Sequence, residues 1–195
     1  MRTRAVARIN VAAIERNVAR LRAGLGGEAA LCAVVKADGY GHGAVAAARA
    51  ALAGGASWIA VVSAAEGAEL REAGIDSPLL VMGALTPDEL ALALDASADI
   101  VAWREDFVAA LERPARVHVK LDTGMGRLGT RDPEEATRVA EAVAAAPHLE
   151  LAGAMTHFAT ADEPGDRFFG EQLERFVTWA QPLSERHPGL VVHAA

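Results

Sequence analysis

Reactive amines are scarce in this 195-residue chain. Of its 19 lysines and arginines only Lys36 and Lys120 are lysines. An amine can lose its proton, attack a carbonyl to form a Schiff base or take up carbon dioxide, whereas a guanidinium stays charged. Both lysines close apolar, β-prone runs: Lys36 follows Ala33-Val34-Val35, and Lys120 ends Val117-His118-Val119. An amine at the end of a buried strand is partly desolvated, which lowers its pKa and favours the nucleophilic form. After Lys36 comes Ala37-Asp38-Gly39-Tyr40-Gly41-His42-Gly43, a glycine-rich turn that lets backbone approach a ligand closely.

The elements that must position these amines alternate. Short, continuously apolar runs over Ala30 to Val35, Trp58 to Val62, Pro78 to Met82, Asp99 to Ala102, Val117 to Leu121, Leu151 to Met155 and Leu190 to Val192 read as parallel strands covered on both faces. Amphipathic runs lie between them. A helix is expected from Asn10, whose side chain can cap it, and Ser63 with Glu66 and Thr86 with Glu89 have capping-box spacing, with Pro87 at a first helical position. Repeated strand and helix units give an α/β protein, either a doubly wound open sheet or a closed barrel. No strand leads into a G-x-G-x-x-G helix entry, so the expectation is a TIM-type (β/α)8 barrel, of which this chain covers about seven strands. In such barrels the carboxyl ends of the strands carry the active site, where both lysines fall.

Composition narrows the partners. A formal charge of -7 and a pI near 5.4 offer no footprint for nucleic acid or an anionic membrane. Mean hydropathy is +0.17, yet no segment approaches the roughly 20 apolar residues of a span. The first eight residues hold no apolar stretch of signal length, so a cytoplasmic protein is expected. Cys32, the single cysteine, is expected to be a small core residue.

The segment Ala33-Val34-Val35-Lys36-Ala37-Asp38-Gly39-Tyr40-Gly41-His42-Gly43 closely resembles the cofactor-lysine signature of alanine racemases. Lys120-Leu121-Asp122-Thr123-Gly124-Met125-Gly126-Arg127-Leu128-Gly129 resembles a second segment of that family, Met155-Thr156-His157-Phe158-Ala159-Thr160-Ala161-Asp162 a third, and His193-Ala194-Ala195 the start of a fourth. The resemblance implies pyridoxal 5'-phosphate held covalently on Lys36, which also acts as base on the D-alanine side. It implies that Tyr40 donates to the cofactor phosphate and that Arg127 lies near the cofactor's phenolic oxygen and the substrate carboxylate. Lys120, carbamylated in many members, would orient Arg127, and His157 and His193 would belong to the shell beneath the cofactor ring. No metal is implied. His118, His148 and His187 are left as structural or surface residues.

The same resemblance implies interconversion of L-alanine and D-alanine, D-alanine supply for cell-wall peptidoglycan and a homodimer. It also implies that residues 1–195 are a partial barrel domain that lacks the family's C-terminal β-domain. The opposing tyrosine base, a phosphate-binding serine and an arginine facing the pyridine nitrogen would lie outside it, leaving the 195 residues inactive by themselves. Another reading is a non-catalytic, single-domain carrier of pyridoxal phosphate on the same barrel type. A decarboxylase of that barrel group and a phosphate-binding barrel without pyridoxal are further readings.

Overall fold

A computed structural model of the chain describes residues 5–26 and 29–195. Residues 1–4, the start of the stretch read for a signal segment, lie outside the described residues. Two compact units meet in sequence between Ala98 and Asp99.

The first unit contains α1 (Val11–Gly24), β1 (Cys32–Val34), the turn α2 (Lys36–Gly41), α3 (Ala44–Ala53), β2 (Trp58–Val61), α4 (Ala64–Glu72), β3 (Leu79–Val81) and α5 (Pro87–Asp95). Local chemistry starts its helices as expected. The Asn10 side chain accepts from Ala13 N–H, and both capping boxes are formed, Ser63 with Glu66 and Thr86 with Glu89. The strands pair in parallel, with Ala33 beside Ile59 and Ile59 beside Leu79. Ile59, Leu70 and Leu79 are buried completely or nearly so, each contributing about 1.5–3 kcal/mol through burial. Alanines 44, 47, 48, 50 and 51 form the buried side of α3. Such small side chains let helices approach closely, and a Cβ at Gly54 would come within 2.5 Å of the Glu15 carbonyl oxygen of α1.

Cys32 departs from expectation. It is exposed rather than in the core, because it opens β1, a strand paired on one side only among the described residues of its unit.

The second unit contains β4 (Asp99–Ala102), α6 (Glu105–Ala109), β5 (Ala115–Lys120), α7 (Pro133–Ala145), β6 (Leu149–Thr156), α8 (Arg167–Arg186) and β7 (Val191–Ala194). Its strands also pair in parallel and in chain order. Val139, Ala140 and Val143 of α7 and Phe176, Trp179 and Leu183 of α8 are buried, giving each helix one apolar stripe. Sequential parallel pairing with a helix between strands, found within each unit, is TIM-type (β/α) topology; the doubly wound alternative would reverse strand order.

Register decides which side chains of the second unit become neighbours. His118 lies beside Gly153, Lys120 beside Met155, and Met155 beside His193. Side chains two residues apart on a strand share a face, so His118, Lys120 and His193 face the same way. Gly153 makes room for this arrangement: a Cβ there would overlap the His118 ring at Nδ1 and sit 2.9 Å from the Val191 carbonyl oxygen. Gly153→Ala should therefore destabilise the protein by about 1–3 kcal/mol in chemical denaturation, the usual cost of overpacking. Adding His118→Ala should recover part of the loss, and purely additive losses would mean that the clash is not what Gly153 avoids.

Candidate active site

Lys36 leaves the end of β1 half-buried, and among the described residues it makes no ion pair; its recorded neighbour is the Tyr40 ring, with Nζ 5.8 Å from the centroid. The backbone between the two is unusual. Ala37, Asp38, Gly39 and Tyr40 have φ of 51°, 52°, 62° and 54° with ψ between 37° and 52°, one left-handed turn of which three residues are not glycine. Each such L-residue costs roughly 1–2 kcal/mol, so the surroundings must hold the turn.

Four contacts do so. The Asp38 carboxylate accepts from Ala44 N–H at 2.8 Å, and Gly43 N–H donates to the Asp38 carbonyl oxygen at 2.8 Å, joining the turn to the start of α3. Gly39 is buried against α3, where a Cβ would come within 3.1 Å of Ala47 Cβ and 3.3 Å of Ala44 N. Ala37 N–H donates to Glu66 Oε1 at 2.6 Å. The outcome is a half-buried amine and an exposed phenol, Tyr40 at 59% exposure, on one fixed turn.

In the second unit Lys120 is only 4% exposed. Burial, helped by the positive charge of Arg127 and opposed by Asp122, lowers its pKa to about 8. About a tenth of the amine is then neutral at pH 7, far more than for an ordinary lysine. The following loop is tightly held. Asp122 accepts from Gly124 N–H and Gly126 N–H, each at 3.0 Å, and from Arg131 Nε at 3.2 Å. Burial pushes the Asp122 carboxyl up, but these donors outweigh it and hold the group below the usual range. Arg127, at the loop's exposed edge, makes no hydrogen bond or ion pair among the described residues and keeps its guanidinium free for a ligand.

His157 follows the end of β6, half-buried. His193 lies on β7, its Nε2 2.8 Å from Nδ1 of His118, whose Nε2 is 2.9 Å from Asp99 Oδ2. The Asp99 carboxylate can only accept, so His118 donates through Nε2, and its Nδ1 and His193 Nε2 share one proton between the two rings. Asp99 also accepts from Arg116 Nε at 3.1 Å, so its charge is paired. Burial first, then His118 and Lys120, lower the His193 pKa to about 3, with Asp99 opposing. Behind the loop, Gln172, fully buried, donates to Thr123 Oγ1 at 3.2 Å and accepts from Ala159 N–H at 2.9 Å.

The first unit thus brings Lys36 and Tyr40 together, and the second places Lys120 and His193 on one sheet face with Arg127 in the adjoining loop. His118 proves to be structural and fully buried, but its ring supports His193, a link that the sequence does not display. His148 is structural too, bonded to the Leu111 carbonyl oxygen at 2.7 Å.

The model for the alanine racemase N-terminal domain matches residues 9–195. The chain belongs to the alanine racemase family. It is 42% identical over 195 residues to alanine racemase from Geobacillus stearothermophilus, covering 97% of this chain and 50% of that protein. Alanine racemase 1 of Bacillus subtilis is 38% identical over 194 residues, covering 97% of this chain and 49% of its own length. Among solved structures, alanine racemase from E. faecalis superposes with a TM-score of 0.88 at 36% identity, covering 96% of this chain and 52% of that one. The Bacillus anthracis enzyme, solved with bound L-Ala-P, gives 0.86 at 33% identity, with coverage of 96% and 50%. The chain spans about half the length of these relatives.

The lowered His193 pKa has a consequence for stability. The folded value, about 3, lies below the ordinary value of 6.5, so the native state resists protonation. The share of stability from neutral His193 should be complete above pH 6.5 and should decline as pH falls towards 3. Comparing denaturation of the protein with that of His193→Gln across this window should show the difference. Parallel pH curves for the two proteins would contradict it.

Proposed function

We propose that the chain supplies the lysine-bearing barrel part of a pyridoxal-phosphate-dependent alanine racemase that interconverts L-alanine and D-alanine. The observation that carries this reading is Lys36: an amine at a strand end, without an ion pair among the described residues, on a left-handed turn shared with Tyr40. Family membership supports the choice of reaction, and the L-Ala-P bound in the Bacillus anthracis relative supports a substrate of alanine's size and charge.

The available groups fit pyridoxal phosphate. Lys36 is free to react with an aldehyde, and the exposed Tyr40 hydroxyl can donate to a phosphate. When bound, pyridoxal phosphate supplies the electron sink that makes an α-proton removable. Lys36 would hold the group through Nζ, and its free amine would take or return the proton on the D-alanine side. Arg127 offers a planar pair of donors to the substrate carboxylate. His157 and His193 contribute to the hydrogen-bonded shell of the cofactor ring, with His193 held neutral by its burial.

Lys120 fits a carbamate. A buried cation is disfavoured beside Arg127, which adds to the lowering of its pKa to about 8. Carbamylation turns that repulsion into attraction, and the carbamate then orients Arg127. The rest of the assignment follows the family: residues 1–195 form one partial barrel domain, a C-terminal β-domain and the partner subunit of a homodimer complete the enzyme, and it works in the cytoplasm to supply D-alanine. No helix among the described residues is long and apolar enough to cross a membrane.

The test is α-proton exchange of both alanine enantiomers in deuterated water. Both should exchange in the complete protein, and Lys36→Ala should reduce exchange by at least about 100-fold, as loss of a positioned acid/base group does. Cofactor binding without exchange would favour the carrier reading, and exchange surviving Lys36→Ala would reject Lys36 as the base. Arg127→Lys should lower kcat/KM about 10- to 100-fold, the value of a charge-assisted bond, before it lowers the melting temperature. Carbon-13 bicarbonate should give one carbamate signal, absent in Lys120→Arg; its persistence in that variant would place the carbamate elsewhere.

A further inference from the structure

The two capping boxes of this chain are not equivalent. In α5 the Glu89 carboxylate, among the described residues, bonds only within its own box, accepting from Thr86 N–H at 2.9 Å and from Thr86 Oγ1 at 2.8 Å. The matching carboxylate in α4 does more. Glu66 Oε2 accepts from Val62 N–H at 2.8 Å and Ser63 N–H at 3.1 Å, while Oε1 reaches Ala37 N–H at 2.6 Å, 29 residues earlier in the chain. Burial pushes the Glu66 carboxyl up, but these N–H donors and the Ser63 hydroxyl outweigh it and hold the group ionised.

We propose that Glu66 is a positioning residue for Lys36, its carboxylate clamping the Lys36–Ala37 peptide to the end of β2. The inference rests on the reading of Lys36 as the cofactor lysine. Its physical basis is the geometry of one peptide group. The N–H of Ala37 belongs to the peptide that joins Lys36 to the first left-handed residue, so fixing that plane fixes ψ of Lys36 and φ of Ala37 together. Val35 N–H is already tied to the Ala60 carbonyl oxygen at 2.9 Å. With Val35 held by β2 and Ala37 by Glu66, Lys36 is restrained on both sides, and the direction in which its side chain leaves the backbone is set before any ligand arrives. A charged acceptor suits this task, since its hydrogen bonds are roughly twice as strong as neutral ones and must offset the left-handed conformation.

Three variants of the complete protein separate positioning from capping. Glu66→Gln keeps the side chain's length but leaves a single acceptor oxygen, so either Ala37 N–H or the Val62 and Ser63 pair loses its partner. Ser63→Ala removes the cap hydroxyl and leaves the carboxylate on Ala37. Glu89→Gln weakens the other box, far from Lys36 in the chain. Two quantities are read for each: the dissociation constant for pyridoxal phosphate, from the visible absorbance of the lysine-bound form, and amide hydrogen exchange over residues 37–40 in the cofactor-free protein.

Glu66→Gln should weaken cofactor attachment at least tenfold and speed exchange at residues 37–40 at least tenfold. Ser63→Ala and Glu89→Gln should do neither, even where they lower the melting temperature as much. Equal losses of cofactor affinity in Glu66→Gln and Ser63→Ala would reduce Glu66 to a helix cap and overturn the proposal. Faster exchange with unchanged affinity would also overturn it. Absence of a lysine-bound form in the unsubstituted protein would instead reject the reading of Lys36, and the positioning role with it.

Discussion

The candidate site depends on a backbone conformation that the chain would not adopt alone. Four successive left-handed residues after Lys36 cost several times the roughly 1–2 kcal/mol of one such L-residue, with relief only at Gly39. The fold meets that cost with contacts from separate elements: the Asp38 carboxylate on Ala44, the fit of Gly39 against α3, and Glu66 on Ala37. Each turns an otherwise unsatisfied N–H or a tight packing contact into a reason for the turn to exist. The gain is that an amine and a phenol, four residues apart in sequence, sit on one restrained turn.

The second unit solves a different problem, keeping titratable groups buried without burying unpaired charge. Asp99 is matched by Arg116 and His118, Asp122 by Gly124, Gly126 and Arg131, and His193 is held neutral. Lys120 is the exception, a nearly inaccessible amine whose pKa is lowered first by burial and then by Arg127, with Asp122 opposing only in part. Stability alone would favour an apolar residue there, because a buried cation without a close hydrogen-bonded partner is costly.

Much of this was legible in the sequence. The Asn10, Ser63 and Thr86 caps work through neighbours three residues away, and the strands announce themselves as apolar runs. Lys36 and Lys120 stood out by rarity among arginines and by position at strand ends. What stayed hidden depends on long-range register or on backbone that residue type argues against. Nothing in Ala37, Asp38 or Tyr40 signals a left-handed turn, since non-glycine residues normally avoid it. The link from His118 to His193 spans 75 residues and needs the small Gly153 on the strand between them. The capping-box spacing of Glu66 accounts for one of its carboxylate oxygens and conceals the other. Cys32, placed in the core by its apolar neighbours, lies exposed where β1 begins.

Two strand-end amines could carry the cofactor, the half-buried Lys36 and the nearly inaccessible Lys120, and the proposed reaction needs it on Lys36. The most direct measurement is borohydride reduction of the protein loaded with pyridoxal phosphate, followed by digestion and mass mapping of the labelled peptide. A single label is expected on Lys36, retained in Lys120→Arg and lost in Lys36→Arg. A label on Lys120, or one that persists after Lys36→Arg, would contradict it.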